Sequence, residues 1–325
     1  MNHLYQKANQ EILRAKNIFL ATHINPDGDA ISSLCAMAEY LEGLGKKYTA
    51  FCQSDLPANY NFIPHFEKIK CAREVSPAHG SKLDDYDLVL VFDCATKARA
   101  GLGEGFDRLA LGQKIIEFDH HPKGEDYADL ELRDQEASST TEIVYSFFKA
   151  NSIPINRKMA TSILTGIITD TESYLFPSAT KKSVKIGSEM LSAGASHARI
   201  IEKHMKNKSL ATLKTWGRIL SGLAINKKYN IAVTALTYDD FRERNIPEEE
   251  YDGLSAFLSN LAGVSAILFL REAEPGKIRG SLRTSGNRVD VSKLAAIFGG
   301  GGHRAAAGFT FFGRLEKTGN GWRVE

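Results

Sequence analysis

Apolar residues recur along the chain with two different periods, and the switches between them mark out its elements. From Tyr5 to Arg14 they fall on one helical face, whereas Asn17 to Thr22, Asp87 to Phe92 and Lys114 to Phe118 are short runs dominated by Val, Ile, Leu, Phe and Ala. Such runs are the signature of parallel strands covered on both faces. Helical spacing returns from about Ala30 to Leu44, then over Thr140 to Ala150, Arg157 to Thr169 and Thr180 to Ala193. Strands alternating with helices predict an α/β first domain. Ala198 to Lys228 has the spacing of a helical connector. After it come a strand-like Asn230 to Thr237, a helix near Glu248 to Leu261, and strands at Val264 to Arg271 and Ile278 to Thr284. The fold expected is therefore α/β in two domains: a parallel-sheet domain over 1–190, a helical basic linker over 191–228, and a smaller α/β domain over 229–325. A length of 325 residues fits this better than a single core.

Composition narrows the function classes. The 41 Lys and Arg against 39 Asp and Glu leave a net charge of +2, too little for a global attraction to long nucleic acid. The positive charge is instead local: Ala198 to Lys228 holds eight Lys and Arg against the acid Glu202, a solvated helix face or a steering patch for anions. Cys35, Cys52, Cys71 and Cys94 are dispersed without a C-x-x-C pair, so neither a disulfide framework nor a zinc knuckle is expected, and a reducing cytoplasm suits them. No apolar run reaches the roughly 20 residues of a bilayer span, so no membrane partner is expected.

Candidate chemistry gathers where the apolar runs stop. His23, Asp27 and Asp29 lie in His-Ile-Asn-Pro-Asp-Gly-Asp after the first strand, Asp93 ends Val-Leu-Val-Phe-Asp, and Asp119, His120 and His121 end Ile-Ile-Glu-Phe-Asp-His-His. In open α/β sheets the carboxyl ends of the strands form the ligand crevice, so these distant segments should converge there, with Asp170 reaching it from the end of a helix. Carboxylates and imidazoles so crowded repel one another unless cations neutralise them. Mixed oxygen and imidazole ligands without thiolates suit Mn²⁺ best, with Mg²⁺ or Co²⁺ as alternatives, and the ligands are too many for one ion. Two ions about 4 Å apart would share a carboxylate and hold both oxygens of an in-line phosphoryl displacement.

The segments His23 to Ala30, Asp93, Asp119-His120-His121 and Thr169-Asp170-Thr171 resemble, in order and separation, the four signature motifs of the DHH superfamily of phosphoesterases. The resemblance implies that His23, Asp27, Asp29, Asp93, His120 and Asp170 are metal ligands, with Asp93 bridging and acting in catalysis and His121 facing the scissile phosphate. Ser32-Ser33 stands where Gly-Ser is common in the family, and Glu172 where Gly is common, which bears on local backbone and substrate lid rather than on the ligands.

Near the C-terminus, Gly299 to Gly302, His303 and Arg304 offer backbone N–H groups at an expected helix start, an anion cradle, with Ser281 and Arg283 upstream at a strand end. Between Lys277 and Arg304 there are six Lys and Arg against Asp290. This segment resembles the glycine-His motif of the DHH-associated substrate domain. By that resemblance Arg283, Ser281, Gly300, Gly301, Gly302 and His303 bind the substrate's nonscissile phosphate or sugar. Gly101, Gly103 and Gly105 mimic a dinucleotide fingerprint but follow the strand end at Asp93 too distantly, and are taken as a loop.

One domain that cuts and one that grips select short substrates. The whole is most similar to the nanoRNase and pAp-phosphatase branch, which implies hydrolysis of short oligoribonucleotides and of 3′-phosphoadenosine 5′-phosphate. Its partners would be short RNA or a small nucleotide, not long nucleic acid, and a homodimer stays open. Cleavage of pApA or cyclic di-AMP is the close alternative, and a non-catalytic nucleotide sensor the alternative of another class. A sensor should have lost ligand carboxylates, and none is missing.

Overall fold

The computed structural model describes residues 1–72, 83–102, 112–206, 208–242, 253–284, 289–318 and 321–325. Gly103, Gly105, Arg288 and the first residues of the helix expected near Glu248 lie outside them. The chain divides into two compact units, Met1–Lys206 and Asn207–Glu325.

The first unit is built on a six-stranded, wholly parallel sheet. Its strands are β1 (Asn17–Thr22), β2 (Lys47–Cys52), β3 (Ile69–Cys71), β4 (Leu88–Phe92), β5 (Lys114–Asp119) and β6 (Leu130–Arg133), in the order β3-β2-β1-β4-β5-β6. Alternate residues of the apolar runs enter different cores. Ile18, Leu20, Leu88, Leu90 and Phe92 pack with the helices on one face, and Phe19, Ala21, Val89, Val91 and Ile115 form the smaller core on the other. This two-sided burial is why those strands carry no polar alternation. Truncating the fully buried Phe92 to alanine would cost about 3 to 5 kcal/mol.

The helices of this unit are α1 (Asn2–Arg14), α2 (Gly28–Gly43), α3 (Thr140–Ala150), α4 (Arg157–Asp170), α5 (Lys181–Ser192) and α6 (His197–His204). Helix α2 starts earlier than its apolar spacing predicts, because Asp27 caps it by accepting from the backbone N–H of Asp29 and Ala30. Strand order reverses direction between β1 and β4, the switch point at which open α/β sheets bind ligands.

The second unit begins with α7 (Leu210–Ser221) and β7 (Ala224–Asn226), so the expected connector contains a strand as well as helices. It continues through β8 (Ile231–Leu236), α8 (Tyr238–Arg242), α9 (Leu254–Leu258), β9 (Ala266–Glu274), β10 (Lys277–Arg283), α10 (Val291–Ile297), β11 (Gly301–His303) and β12 (Ala306–Phe312) to a hairpin of β13 (Leu315–Thr318) and β14 (Gly321–Val324). Its mixed sheet runs β11-β12-β10-β9-β8-β7, with β8 and β9 parallel and the other pairs antiparallel. One core joins Ile278, Leu282, Ala307 and Phe309 to α10, and another joins Ala232, Leu236, Ile267 and Phe269 to α7 and α9. Among the described residues no helix is long and apolar enough to cross a membrane.

Candidate active site

Three strand exits and one helix end meet at the switch point. His23 follows β1, Asp93 follows β4, His120 and His121 follow Asp119 at the end of β5, and Asp170 closes α4. Asp93 adopts a left-handed backbone, φ 63°, and its N–H donates to the Phe118 carbonyl at 2.9 Å. Such a conformation disfavours a non-glycine residue by about 1 to 2 kcal/mol, and here it turns the carboxylate out of the sheet at the exit of β4.

The two oxygens of Asp93 face different neighbours. Oδ2 lies 3.5 Å from His23 Nε2, while Oδ1 lies 3.5 Å from His120 Nε2 and 3.2 Å from His121 Nδ1. On the first side Asp27 approaches His23 Nε2 at 4.0 Å, and on the second Asp170 approaches His120 Nε2 at 3.6 Å. Ligand atoms of His23, Asp27 and Asp93 lie within 4.8 Å of one another, as do those of Asp29, His120 and Asp170. All six residues expected as ligands are thus brought together, in two groups, with His121 beside them and Asp93 facing His120 as well as His23. His23, Asp29, Asp93 and His120 are buried, whereas the Asp27 side chain is 56% exposed and gives the centre its opening to solvent.

The donor set fits divalent cations. His23 Nδ1 sits 2.8 Å from the Ile24 carbonyl, which assigns the proton to that nitrogen. Its buried Nε2 has no hydrogen-bond partner and faces carboxylates, so its lone pair needs a positive charge before it. The titration behaviour agrees. Burial pushes Asp29 and Asp170 well above the usual carboxylate range, and neighbouring carboxylates push them further. Burial acts the same way on Asp93, but His121, His23 and His120 outweigh it and hold its carboxyl well below that range. Burial opposes charge on His121, yet Asp93 and Asp119 overcome it and lift the imidazole to about 10. His120 is lowered, chiefly by burial. Protons thus gather at a cluster of negative charge where cations would otherwise stand.

Several supporting residues escaped the sequence reading. The start of α3 meets Asp29 with three donors: Thr140 N–H to Oδ2 at 2.6 Å, and Thr141 N–H and hydroxyl to Oδ1 at 3.0 and 2.8 Å. The Thr140 hydroxyl donates to Asp93 Oδ1 at 2.9 Å. The capping pattern Ser139-x-x-Glu142 announces the helix start, but nothing in it tells what the helix points at. Arg133 pairs with Asp119 Oδ2 at 3.2 Å and donates to the His121 carbonyl at 2.7 Å, while Asp119 Oδ1 stands 3.0 Å from His121 Nδ1. Asp119 therefore positions His121. A Cβ added at Gly166 of α4 would stand 2.5 Å from Asp29 Oδ1, so the close approach of α4 to this carboxylate requires glycine.

In the second unit the glycine segment differs from expectation. Gly299 and Gly300 leave the end of α10 rather than opening a helix, and Gly301 to His303 form β11, paired with β12. Gly300 presses so closely on β12 that an added Cβ would meet the Gly308 carbonyl at 2.1 Å, which gives this glycine a packing reason. A cavity of about 400 Å³ opens beside it, lined by Arg271, Arg279, Ser281, Gly300, Gly308 and Thr310 among others. Ser281 and Gly300 are among its lining residues, and Arg283, Gly301 and Gly302 are not. Arg283 is half-buried, with Nη1 donating to the Leu282 carbonyl at 3.1 Å. The sequence counted Arg279 of β10 only as part of the basic run after Lys277 and gave no sign of Arg271 of β9, which stands directly opposite it.

Residues 17–167 match the DHH family, N-terminal domain, and residues 228–317 match the DHHA1 domain. The bifunctional oligoribonuclease and PAP phosphatase NrnA of Thermus thermophilus is 29% identical, over 93% of this chain and 87% of the relative. Its namesake in Bacillus subtilis is 26% identical, over 91% and 89%. An exopolyphosphatase-related protein from Bacteroides fragilis superposes with a TM-score of 0.87 at 26% identity, covering 96% of this chain and 92% of that one.

Proposed function

We infer the activity from the premise that the chain belongs to the DHH family and is a metal-dependent phosphoesterase of that family, with a DHHA1 domain later in the sequence. We propose that it hydrolyses short oligoribonucleotides to 5′-mononucleotides and 3′-phosphoadenosine 5′-phosphate to AMP and phosphate, the substrates in the names of its relatives from Thermus thermophilus and Bacillus subtilis. The observation that carries the two-ion reading is Asp93, one oxygen 3.5 Å from His23 and the other 3.5 Å from His120.

In this reading His23, Asp27 and Asp93 hold one cation and Asp93, Asp29, His120 and Asp170 the other, with Mn²⁺ preferred for a mixed carboxylate and imidazole set. Bound there, the ions supply charge neutralisation for the phosphoryl group and an activated water. The protein's own part is positional. Asp93 joins the two sets, and His121, held through Nδ1 by Asp119 and Asp93, faces the scissile phosphate. In the second unit Arg271, Arg279, Ser281 and the glycine segment, together with Arg283 and His303, bind a nonscissile phosphate or sugar.

The test is turnover of pAp, pApA, cyclic di-AMP, short RNA and pyrophosphate by protein supplied with Mn²⁺ or with chelator, products being resolved by chromatography. Short RNA and pAp should be consumed, and chelator should stop both. Consumption of cyclic di-AMP or pyrophosphate alone would overturn the substrate assignment, and full turnover by metal-stripped protein in chelator would overturn the two-ion centre.

A further inference from the structure

Helix α3 spends its first turn on the centre rather than on solvent, and it does so unevenly. Asp29 Oδ1 accepts from both the N–H and the hydroxyl of Thr141, which uses its two lone pairs, and Oδ2 accepts from Thr140 N–H. One lone pair of Asp29 remains, on Oδ2. The Thr140 hydroxyl takes Oδ1 of Asp93, the oxygen that faces His120, and leaves Oδ2, which faces His23, without this donor. Behind them the Ser139 hydroxyl, which accepts from Glu142 N–H at 3.2 Å and lies 2.8 Å from Thr141 Oγ1, ties the donors to the helix cap. By contrast Asp27 is pinned through Oδ1 alone, by the N–H groups of Asp29 and Ala30, and is mostly exposed.

We propose that Thr140 and Thr141 are positioning residues for one cation position only, the one formed by Asp29, His120 and Asp170, and that they hold Asp29 to single-oxygen ligation through Oδ2. The position formed by His23, Asp27 and Asp93 faces Asp93 Oδ2, which receives none of these donors. Two cation positions that share Asp93 are therefore supported unequally: one is backed by a helix start that leaves its carboxylate no freedom to rotate, the other by an exposed aspartate. The proposal rests on the two-ion reading above.

The probe is Mn²⁺ alone, titrated into metal-stripped protein while the free ion is measured by electron paramagnetic resonance, with no substrate present. Wild-type protein should take up two equivalents. Thr141→Val, which keeps shape and both backbone donors but removes the hydroxyl, should weaken one equivalent by roughly tenfold and leave the other unchanged, the usual scale for loss of an outer partner of a metal ligand. Thr141→Ser should restore it. Ser146→Ala, which removes a hydroxyl bonded to the Glu142 carbonyl one turn further along α3, should leave both equivalents in place. Should Thr141→Val not fold, Thr141→Ala, which removes the same hydroxyl donor to Asp29 and keeps both backbone donors, carries the same test with Thr141→Ser as its rescue. Two equivalents in the wild type with neither or both moved in the variants would overturn this proposal alone. Fewer than two equivalents in the wild type would overturn the two-ion reading beneath it.

Discussion

The two units each carry a polar site on a sheet, but they build it in opposite ways. In the first, the sheet is covered on both faces, and the functional side chains leave its strand ends as buried groups with neighbours at hydrogen-bond distance. In the second, the cavity lies on the face of β9, β10 and β12, with glycines in its lining and the exposed Gly308 and Thr310 at its surface. Charges that must stay together despite mutual repulsion need fixed partners and low solvent access. A binding surface for a flexible anionic ligand needs reach and room. The contrast predicts that small changes near the first site are severe and those at the second are graded by substrate.

The sharpest way to break the comparison is Asp93→Asn. Removing the charge shared between the two groups should lower kcat by roughly a thousandfold or more, since charge stabilisation worth about 4 kcal/mol is lost, while far-ultraviolet dichroism stays native. A variant within tenfold of wild type would take Asp93 out of the mechanism. Next comes Gly166→Ala. Alanine favours a helix interior by about 1 kcal/mol over glycine, yet here its Cβ must displace Asp29 or Thr141, so Mn²⁺ affinity should fall by at least roughly tenfold. Unchanged Mn²⁺ binding would mean that α4 yields and the centre is less rigid than described.

At the second site, Arg271→Ala, Arg279→Ala and Arg283→Ala should each cost roughly tenfold to a hundredfold in kcat/KM on pAp or short RNA, the equivalent of about 1.5 to 3 kcal/mol for a charge-assisted contact. All three should spare bis(p-nitrophenyl) phosphate and leave Mn²⁺ binding intact. Equal losses on both substrate types would erase the proposed division of labour. The smallest effect concerns Glu172, at φ 45° and followed by Ser173 and Tyr174, also left-handed. Glu172→Gly exchanges a left-handed penalty of about 1 to 2 kcal/mol for a glycine entropy cost of about 0.5 to 1, so a melting temperature a few degrees higher is expected. A lower one would show that the Glu172 side chain contributes more than its backbone strain removes.

How much was legible in the sequence follows the same division. Strands β1, β4 and β5 stood out because burial on both faces leaves their runs largely apolar, with Glu117 inside β5 as the exception, and the candidate ligands stood out because they follow or end those runs. Strands β2, β3 and β6 did not: the first half of β2 is only partly buried, and Lys70 and Glu131 interrupt β3 and β6, as flanking strands covered less completely allow. Thr140 and Thr141 were visible only as part of a helix, since their role comes from a contact with Asp29 more than a hundred residues away. Arg271 and Arg279 become a pair through the register of β9 and β10, which no local pattern prints. The glycines near residue 300 were visible, but a tight departure from a helix and a close strand approach both demand glycine, and sequence does not separate these from an anion-binding helix start.

The order of strands in the first unit also sets a schedule for biosynthesis. Every pairing in that sheet is parallel, so each needs a crossover, and β1 must wait for β4, some 70 residues downstream, before both its edges are filled. The proposed ligands run from His23 to Asp170, and a nascent chain still lacking α4 has the acids of the early motifs but not the carboxylate that closes the set. Sheets of this kind form slowly, because distant segments must meet before their contacts return any free energy. On the proposed ligand set, cation capture would follow the folding of the unit rather than nucleate it.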